Sequence, residues 1–208
     1  MPITRLYLIR HGQSEWNRAR RVQGHTNSPL TELGHRQAQA VAEALARRGI
    51  DVLYASDLSR AHDTALAIGN ETNLELTLDP RLREMCYGIL EGLTWDEAEE
   101  RHPGMYAALR GGPPDRVITG GESRNQLIER ALAFMGDVLE RHPGQNICAA
   151  THGGLIAYVF RTLVKIPLDA PPAFRTMNCA ITSFVHDGEW RLETWGQDEH
   201  LHNIKRKY

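Results

Sequence analysis

Apolar residues follow two periods along the chain, and the shorter period predicts strands. Buried strands appear in sequence as short apolar runs that are bounded by turn residues or charges. Four runs fit this pattern: RLYLI near the start, DVLYAS from Asp51, LELTLD from Leu74 and NICAATHGG from Asn146. Near the end of the chain, ITSFVHDGEWRLETW places Asp-Gly between two strand-like runs, which predicts a β-hairpin.

The longer period predicts helices between these strands. In LTELGHRQAQAVAEALARRG the apolar residues recur at three- and four-residue spacing, and Gly49 is the expected stop. The segment SRAHDTALAIGNE predicts a second helix with Ser59 as its N-cap. Two capping boxes predict further helix starts: Thr94 with Glu97, and Ser123 with Gln126.

Strands that are separated by helices indicate an α/β fold. We expect a three-layer sandwich with a mostly parallel sheet, helices on both faces and the hairpin at one edge. No repeat or interdomain linker interrupts residues 1–208, so we expect a single domain. A stretch rich in Gly and Pro lies between the two capping boxes, and we expect a small excursion from the sheet around residues 90–122.

Composition narrows the class of protein. A net charge of −2 and a hydrophobic content of 41% are ordinary for a globular protein, so we expect no nucleic-acid or membrane partner. The three cysteines are odd in number and widely spaced, which is typical of reduced thiols. The N-terminus lacks an apolar signal segment, and no apolar run is long enough to span a bilayer. We therefore expect a cytoplasmic location.

Two histidines follow predicted strands, and each of them precedes a glycine: His11 after LYLI and His152 after NICAAT. In open α/β sheets, ligands bind beyond the carboxyl ends of the strands. A single histidine at such a place is more often a packed structural residue, but two at separate strand ends favour a shared site. Arg10, Arg60 and Glu84 also lie at or shortly after predicted strands.

If these side chains converge, they can transfer a phosphoryl group without a metal ion. Two guanidinium groups suit phosphate oxygens, and a neutral imidazole is a competent nucleophile toward phosphorus. A carboxyl group can protonate the leaving oxygen and then activate water, and a second imidazole, if protonated, would add positive charge. Two alternatives stay open: Glu84 in a surface ion pair with Arg81 or Arg83, and a metal site among the ten histidines.

The motifs of this chain resemble those of the histidine phosphatase superfamily, which includes the cofactor-dependent phosphoglycerate mutases. RHGQSEWN, which starts at Arg10, is similar to the signature of that family. The likeness continues in the family's order through RRVQGHTNSPLTELGHRQA, ASDLSRAHDTA, RLREMCYGILEGLTWDE, GGES and ATHGG. It covers most of the chain, so it is far more specific than a lone Arg-His-Gly.

The resemblance implies a role for each candidate residue. His11 matches the histidine that carries phosphate, Arg10 and Arg60 match its phosphate clamp, and His152 matches the second pocket histidine. Glu84 matches the proton donor and acceptor. Five further positions match the phosphate or substrate side of the pocket: Asn17, Gln23, Gly24, Tyr87 and Gly153.

The family contains both phosphatases and mutases, and the shared core does not separate them. Its mutases typically carry a lysine shortly after the glutamate motif and an arginine pair in a longer insertion, whereas here Thr94 and Trp95 stand near the lysine position. The region between the capping boxes holds only isolated arginines, at positions 101, 110 and 116. These departures favour a metal-independent phosphatase that needs no cofactor and acts on small phosphomonoesters.

Two other functions remain as alternatives. The first is a phosphoglycerate mutase primed by 2,3-bisphosphoglycerate, which the stretch YGILEGL favours. The second is a catalytically inactive regulatory or binding protein on the same fold, which the presence of every catalytic residue type opposes. In the enzyme readings the partner is a small phosphorylated metabolite. A homodimer that pairs through an edge strand is also compatible with the sequence.

Overall fold

A six-stranded sheet forms the centre of the computed structural model, which describes residues 2–170 and 176–204. The strands lie in the order β3-β2-β4-β1-β5-β6. Their bounds are β1 Thr4–Arg10, β2 Val52–Ala55, β3 Leu76–Leu78, β4 Asn146–Thr151, β5 Ile181–His186 and β6 Trp190–Gln197. Each of the predicted strand runs therefore forms a strand, with ends that are shorter or longer by a few residues.

Parallel pairing joins β3, β2, β4 and β1, and antiparallel pairing adds β5 and β6 at one edge. The Asp-Gly turn between β5 and β6 closes the predicted hairpin, with Gly188 at a φ of +124°. That conformation is open to glycine and disfavoured for other residues, so the turn explains the glycine at this position. The expectation of a mostly parallel sheet with an edge hairpin is confirmed.

Seven α-helices in the described residues cover the sheet or extend from it. Their bounds are α1 Glu15–Arg18, α2 Glu32–Ala46, α3 Ser59–Thr72, α4 Trp95–Arg101, α5 Pro103–Gly111, α6 Arg124–Arg141 and α7 Gly153–Leu163. None of the helices in the described parts of the chain is long and apolar enough to cross a membrane.

Alternation along β1 explains why helices cover both faces of the sheet. Successive side chains of a strand point to opposite faces. Leu6 and Leu8 belong to one core, which α6 and α7 cover, whereas Tyr7 and Ile9 belong to a second core, which α2 and α3 cover. The three-layer sandwich is therefore confirmed. The assignment of residues 1–208 to a single domain stays a prediction.

The helix predictions differ from the structure in three places. Helix α2 ends at Ala46, three residues before the predicted stop at Gly49. The N-cap of α3 is Leu58, not Ser59, and the Ser59 hydroxyl instead donates to Asn27 Oδ1 at 3.2 Å. The excursion contains α5, whose first residue is Pro103. Proline at the first helical position is a recognised start signal, although the surrounding glycines obscured it in the sequence.

Replacement of Ser123 by alanine tests the second capping box, which the structure contains as predicted. The Ser123 hydroxyl accepts from the Gln126 backbone N–H at 3.2 Å, and the Gln126 side chain accepts from the Ser123 N–H at 2.8 Å. We expect Ser123→Ala to lower the free energy of unfolding by about 1 kcal/mol in urea titrations. Ser59→Ala is the matched control, because that hydroxyl caps no helix, and it should cost less than about 0.5 kcal/mol. Equal losses would show that the hydroxyl of Ser123 does not act as a cap.

Candidate active site

The pairing of β1 with β4 places the two candidate histidines side by side. Arg10 lies opposite Thr151 in the parallel register, so the residues that follow both strands emerge at the same sheet edge. The ring centroids of His11 and His152 are 5.2 Å apart, and both side chains are buried. Residues more than one hundred positions apart in the chain thus form one pair.

The environment of His11 leaves the ring neutral and fixes its tautomer. Nδ1 lies 2.7 Å from the carbonyl oxygen of Gly12. A carbonyl oxygen only accepts hydrogen bonds, so Nδ1 carries the proton and Nε2 keeps its lone pair. Burial, followed by the positive charges of Arg60 and Arg10, holds the pKa of His11 well below its usual value. A neutral imidazole with a free Nε2 lone pair is the form that can attack phosphorus.

Arg60 brings a buried positive charge to this pair from the first turn of α3. Its two terminal nitrogens donate to the carbonyl oxygens of Thr26 at 3.0 Å and Gly24 at 2.7 Å. Burial lowers its pKa to about 10, so the guanidinium is protonated at neutral pH. Nε of Arg60 is buried and has no hydrogen-bond partner among the residues that the structure describes. That N–H group is available to an anion.

His152 faces His11 from the N-cap position of α7. Its Nε2 lies 2.9 Å from the Ser56 hydroxyl, and its Nδ1 is buried without a partner in the described part of the chain. Burial, together with Arg60 and His11, lowers the pKa of His152 well below its usual value. The second imidazole is therefore neutral in this state, rather than cationic, and it contributes hydrogen bonds. Sequence analysis missed Ser56, although it directly follows β2.

The Glu84 carboxylate lies against the first turn of α7. Oε2 accepts from the Gly154 N–H at 3.0 Å, and Oε1 accepts from the Leu155 N–H at 3.2 Å. A side chain at position 154 would push this carboxylate away from the helix, because its Cβ would lie 2.4 Å from Oε1. The alternative of a surface ion pair is wrong, since Arg81 pairs with Asp79 and Asp137, and Arg83 pairs with Asp57.

Three of the expected substrate-side residues bind other residues of the protein and do not line the cavity. Asn17 Oδ1 accepts from the Ser14 N–H and from the Asn178 side chain, both at 3.2 Å. Gln23 Oε1 accepts from the Ser14 hydroxyl at 2.7 Å. Gly24 acts through its carbonyl oxygen, which holds Arg60. Sequence analysis missed Asn178, which also donates to the carbonyl oxygen of His11 at 2.8 Å and gave no sequence signal.

A cavity of about 440 Å³ opens beside the catalytic cluster. Arg10 and Glu84 lie in its wall, as do the two remaining expected residues, Tyr87 and Gly153. Tyr87 packs edge-on against Trp95, with ring centroids 6.1 Å apart. The volume suits a small metabolite rather than a phosphate group alone.

The residues that the structure describes contain no group of three or more His, Cys, Asp and Glu side chains that could hold a metal ion. The ten histidines of the chain thus form no metal cluster within residues 2–170 and 176–204. The positive charges that act on His11 come from two arginines, Arg60 and Arg10. Arg10 enters from the end of β1, and its Nη1 donates to the carbonyl oxygen of Thr176.

Comparisons with known proteins find relatives that match nearly the whole chain. The chain is 36% identical over 202 residues to a probable phosphoglycerate mutase, GpmB, of Cronobacter sakazakii, covering 94% of each chain. It is 34% identical over 207 residues to the metal-independent phosphoserine phosphatase of Arabidopsis thaliana, covering 97% of this chain and 85% of that one.

Among solved structures, a mycobacterial glucosyl-3-phosphoglycerate phosphatase in its native form superimposes with a TM-score of 0.86 at 32% sequence identity. The match covers 94% of this chain and all of that one. The family model of the histidine phosphatase superfamily (branch 1) matches residues 6–198. The chain therefore belongs to the histidine phosphatase superfamily, in its branch 1.

Proposed function

We propose that this enzyme hydrolyses small phosphomonoesters through a phosphohistidine intermediate on His11. The observation that carries the proposal is the pairing of His11 with His152 beside the charges of Arg60 and Arg10, next to a cavity whose wall contains Arg10 and Glu84. His11 is the nucleophile, Arg10 and Arg60 clamp the phosphoryl group, and Glu84 handles the proton. The small phosphorylated metabolite enters through the cavity.

The first half-reaction transfers the phosphoryl group to the protein. The N–H groups of Arg10 and Arg60 hold the phosphate oxygens, and the unpartnered nitrogen of His152 adds a further hydrogen bond. Nε2 of His11 attacks phosphorus while the bond from phosphorus to the ester oxygen breaks. Glu84, in its protonated form, gives its proton to the leaving oxygen, which departs as an alcohol.

The second half-reaction returns the protein to its starting state. Glu84, now a carboxylate, removes a proton from a water molecule, and the oxygen of that water attacks the phosphorus of phosphohistidine. The bond between phosphorus and Nε2 of His11 breaks, inorganic phosphate leaves, and Glu84 is protonated again. No metal ion takes part, because the guanidinium groups supply the positive charge. The name of the Arabidopsis relative describes a metal-independent reaction of the same kind.

The positioning of Arg60 depends on Glu91. One Glu91 oxygen accepts from the backbone N–H groups of His25 and Tyr87, each at 3.0 Å. The other accepts from the Thr26 N–H at 3.0 Å and from its hydroxyl at 2.6 Å. The turn that Glu91 holds carries the two carbonyl oxygens that bind Arg60, so we assign Glu91 as a positioning residue.

The mutase remains the second candidate function, and similarity to proteins named probable phosphoglycerate mutase supports it. The residues near the expected lysine position oppose it. The Thr94 hydroxyl is the N-cap of α4, and Trp95 packs against Tyr87, so neither offers a cation to a phosphoglycerate. 2,3-Bisphosphoglycerate would serve as a primer only in the mutase reaction.

The state of the cysteines bears on the location of the protein. All three cysteines are free thiols, and burial raises the pKa of Cys148 and Cys179. Reduced thiols are in keeping with the cytoplasmic location that we propose. A homodimer stays a prediction from the sequence.

Phosphorus NMR with 3-phosphoglycerate tests the proposed function, with and without 2,3-bisphosphoglycerate and after metal chelation. We expect inorganic phosphate in all three conditions, and we expect His11→Ala to lower turnover by ~1,000-fold or more, because no phosphohistidine can form. Formation of 2-phosphoglycerate that depends on the bisphosphate would identify a mutase instead. Near-normal turnover by His11→Ala would exclude this residue as the nucleophile.

Glu84→Gln tests the proton donor. We expect a loss of about 100-fold or more for alkyl phosphates and a clearly smaller loss for p-nitrophenyl phosphate, whose leaving group needs little protonation. The measurement is kcat/KM for both substrates at one pH. The control is Glu100→Gln, which removes an exposed carboxylate outside the cavity and should change neither value. Equal losses for the two substrates would argue against Glu84 as the acid.

Glu91→Gln tests the support of Arg60. We expect the KM for p-nitrophenyl phosphate and the inhibition constant of orthovanadate to rise together by about tenfold, since both report the phosphate clamp, with kcat changed less. A purely structural role would lower stability without moving the vanadate constant. Glu100→Gln again serves as the matched control. An unchanged vanadate constant in a folded Glu91→Gln protein would refute the assignment.

A further inference from the structure

Arg130 and Glu122 form an ion pair beside the loop that carries Glu84. Only 19% of the Arg130 side chain and 15% of the Glu122 side chain are exposed. Nη2 of Arg130 donates to Glu122 Oε1 at 2.7 Å, and Nε of Arg130 donates to Glu122 Oε2 at 3.2 Å. Both carboxylate oxygens therefore bind one guanidinium, which is the geometrically specific form of such a pair. Glu122 belongs to the GGES motif, whose residues take no part in the proposed reaction.

The remaining N–H groups of Arg130 bind the acid loop, which we define as residues 81–86. Nη1 donates to the carbonyl oxygens of Arg81 and Arg83, each at 2.7 Å, and Nη2 donates to that of Glu84 at 2.8 Å. A guanidinium has five N–H donors, and the ion pair and these carbonyl contacts use all of them. Arg130 thus ties the second turn of α6 to three backbone groups of the acid loop.

The peptide group between Glu84 and Met85 connects Arg130 to the catalytic carboxylate. Its carbonyl oxygen accepts from Arg130 Nη2 and from His25 Nε2, each at 2.8 Å. Its N–H, on Met85, donates to Glu84 Oε1 at 2.9 Å. A peptide group is planar, so hydrogen bonds that fix its oxygen also fix the direction of its N–H. The orientation of the Glu84 carboxylate therefore depends on Arg130 through one rigid group.

The GGES motif holds the far end of the acid loop. Glu122 Oε1 accepts from the Cys86 N–H at 2.9 Å, and the Glu122 N–H donates to the carbonyl oxygen of Cys86 at 3.0 Å. A Cβ at Gly121 would lie 2.3 Å from that carbonyl oxygen, so glycine allows the motif to pack this closely. One carboxylate thus binds both Arg130 and the end of the acid loop.

We infer that Arg130, held in place by Glu122, is a positioning residue that fixes the Glu84 carboxylate for proton transfer to the leaving oxygen. The inference rests on the proposed function, because it requires Glu84 to be the acid. Neither Arg130 nor Glu122 lies in the described wall of the cavity, so the pair acts through the acid loop and not on the substrate. Proton transfer needs a donor within hydrogen-bond reach of the leaving oxygen, so a small displacement of the carboxylate slows it.

Arg130→Lys is the variant of choice, because it keeps the positive charge and replaces a planar fork of five donors with three donors on a flexible stem. The measurement is kcat/KM for phenyl phosphate and p-nitrophenyl phosphate, whose leaving groups are similar in size and differ in basicity. We expect a loss of about tenfold for phenyl phosphate and of about twofold or less for p-nitrophenyl phosphate, which needs little protonation. A purely structural role would lower both values by the same factor.

The double variant Glu84→Gln with Arg130→Lys tests the route by which Arg130 acts. We expect Arg130→Lys to change the ratio between the two substrates by less than about twofold once Glu84→Gln has removed the acid, because no proton donor is left to misplace. Losses that multiply in the double variant would show that Arg130 acts by another route, and they would overturn the inference.

Glu122→Gln and two controls complete the series. We expect Glu122→Gln to shift the ratio in the same direction as Arg130→Lys, since the amide cannot form the ion pair. Arg5→Lys is the chemically matched control, because Arg5 pairs with Glu193 near the opposite end of β1. Val41→Ala is the control for stability, because Val41 is buried in the core on the other face of the sheet. Both controls should leave the ratio unchanged.

The outcomes separate this inference from the proposed function. An unchanged ratio in a folded Arg130→Lys protein would overturn the positioning role, while phosphate release from the two esters upholds the phosphatase. Absence of release from both esters by the unsubstituted protein would overturn the proposed function and this inference with it.

Discussion

The site depends on a positive charge buried without a carboxylate partner among the described residues. Arg60 is 1% exposed, and two backbone carbonyl oxygens hold its guanidinium. Carbonyl dipoles make burial of the charge tolerable, but they do not neutralise it. The uncompensated charge attracts a phosphate, and together with burial it keeps both imidazoles neutral. An ion pair in place of the carbonyls would have weakened both effects, since the carboxylate would compete with the phosphate and would offset the part of the histidine pKa shifts that the Arg60 charge causes, while the larger part due to burial would remain.

The fold assembles this site from the carboxyl ends of two strands and the first turns of two helices. Parallel pairing of β1 with β4 supplies the two histidines, the first turn of α3 supplies Arg60, and the first turn of α7 holds Glu84. Backbone N–H groups at the start of α7 have no partner inside the helix, so a carboxylate is a natural acceptor there. The start of α7 therefore positions both Glu84 and His152, so a shift of this helix would displace both side chains together.

The parts of the site that follow from the order of strands and helices could be predicted from the sequence. The parts that depend on contacts between distant loops could not. His11 and His152 could be predicted to meet because the carboxyl ends of parallel strands share one edge. Asn178 lies in no motif, and Ser56 lies within ASDLSRAHDTA without a signal of its own, so their contacts with His11 and His152 appear only in the folded structure. The N-cap of α3 was misjudged for the same reason, because the Ser59 hydroxyl donates to Asn27, which lies 32 residues earlier in the chain.

The wall formed by α4 and α5 bears on whether water or a second substrate receives the phosphoryl group. A mutase has to keep water from phosphohistidine while the bound phosphoglycerate reorients within the site. Here the wall is an aromatic stack in which Trp95 lies between Tyr87 and Tyr106, yet Trp95 itself is 40% exposed. Arg110, which lines the same cavity, is likewise exposed to solvent. Because this wall is open to solvent, we expect water to reach phosphohistidine once the alcohol has departed, so the geometry favours hydrolysis over transfer to a second substrate.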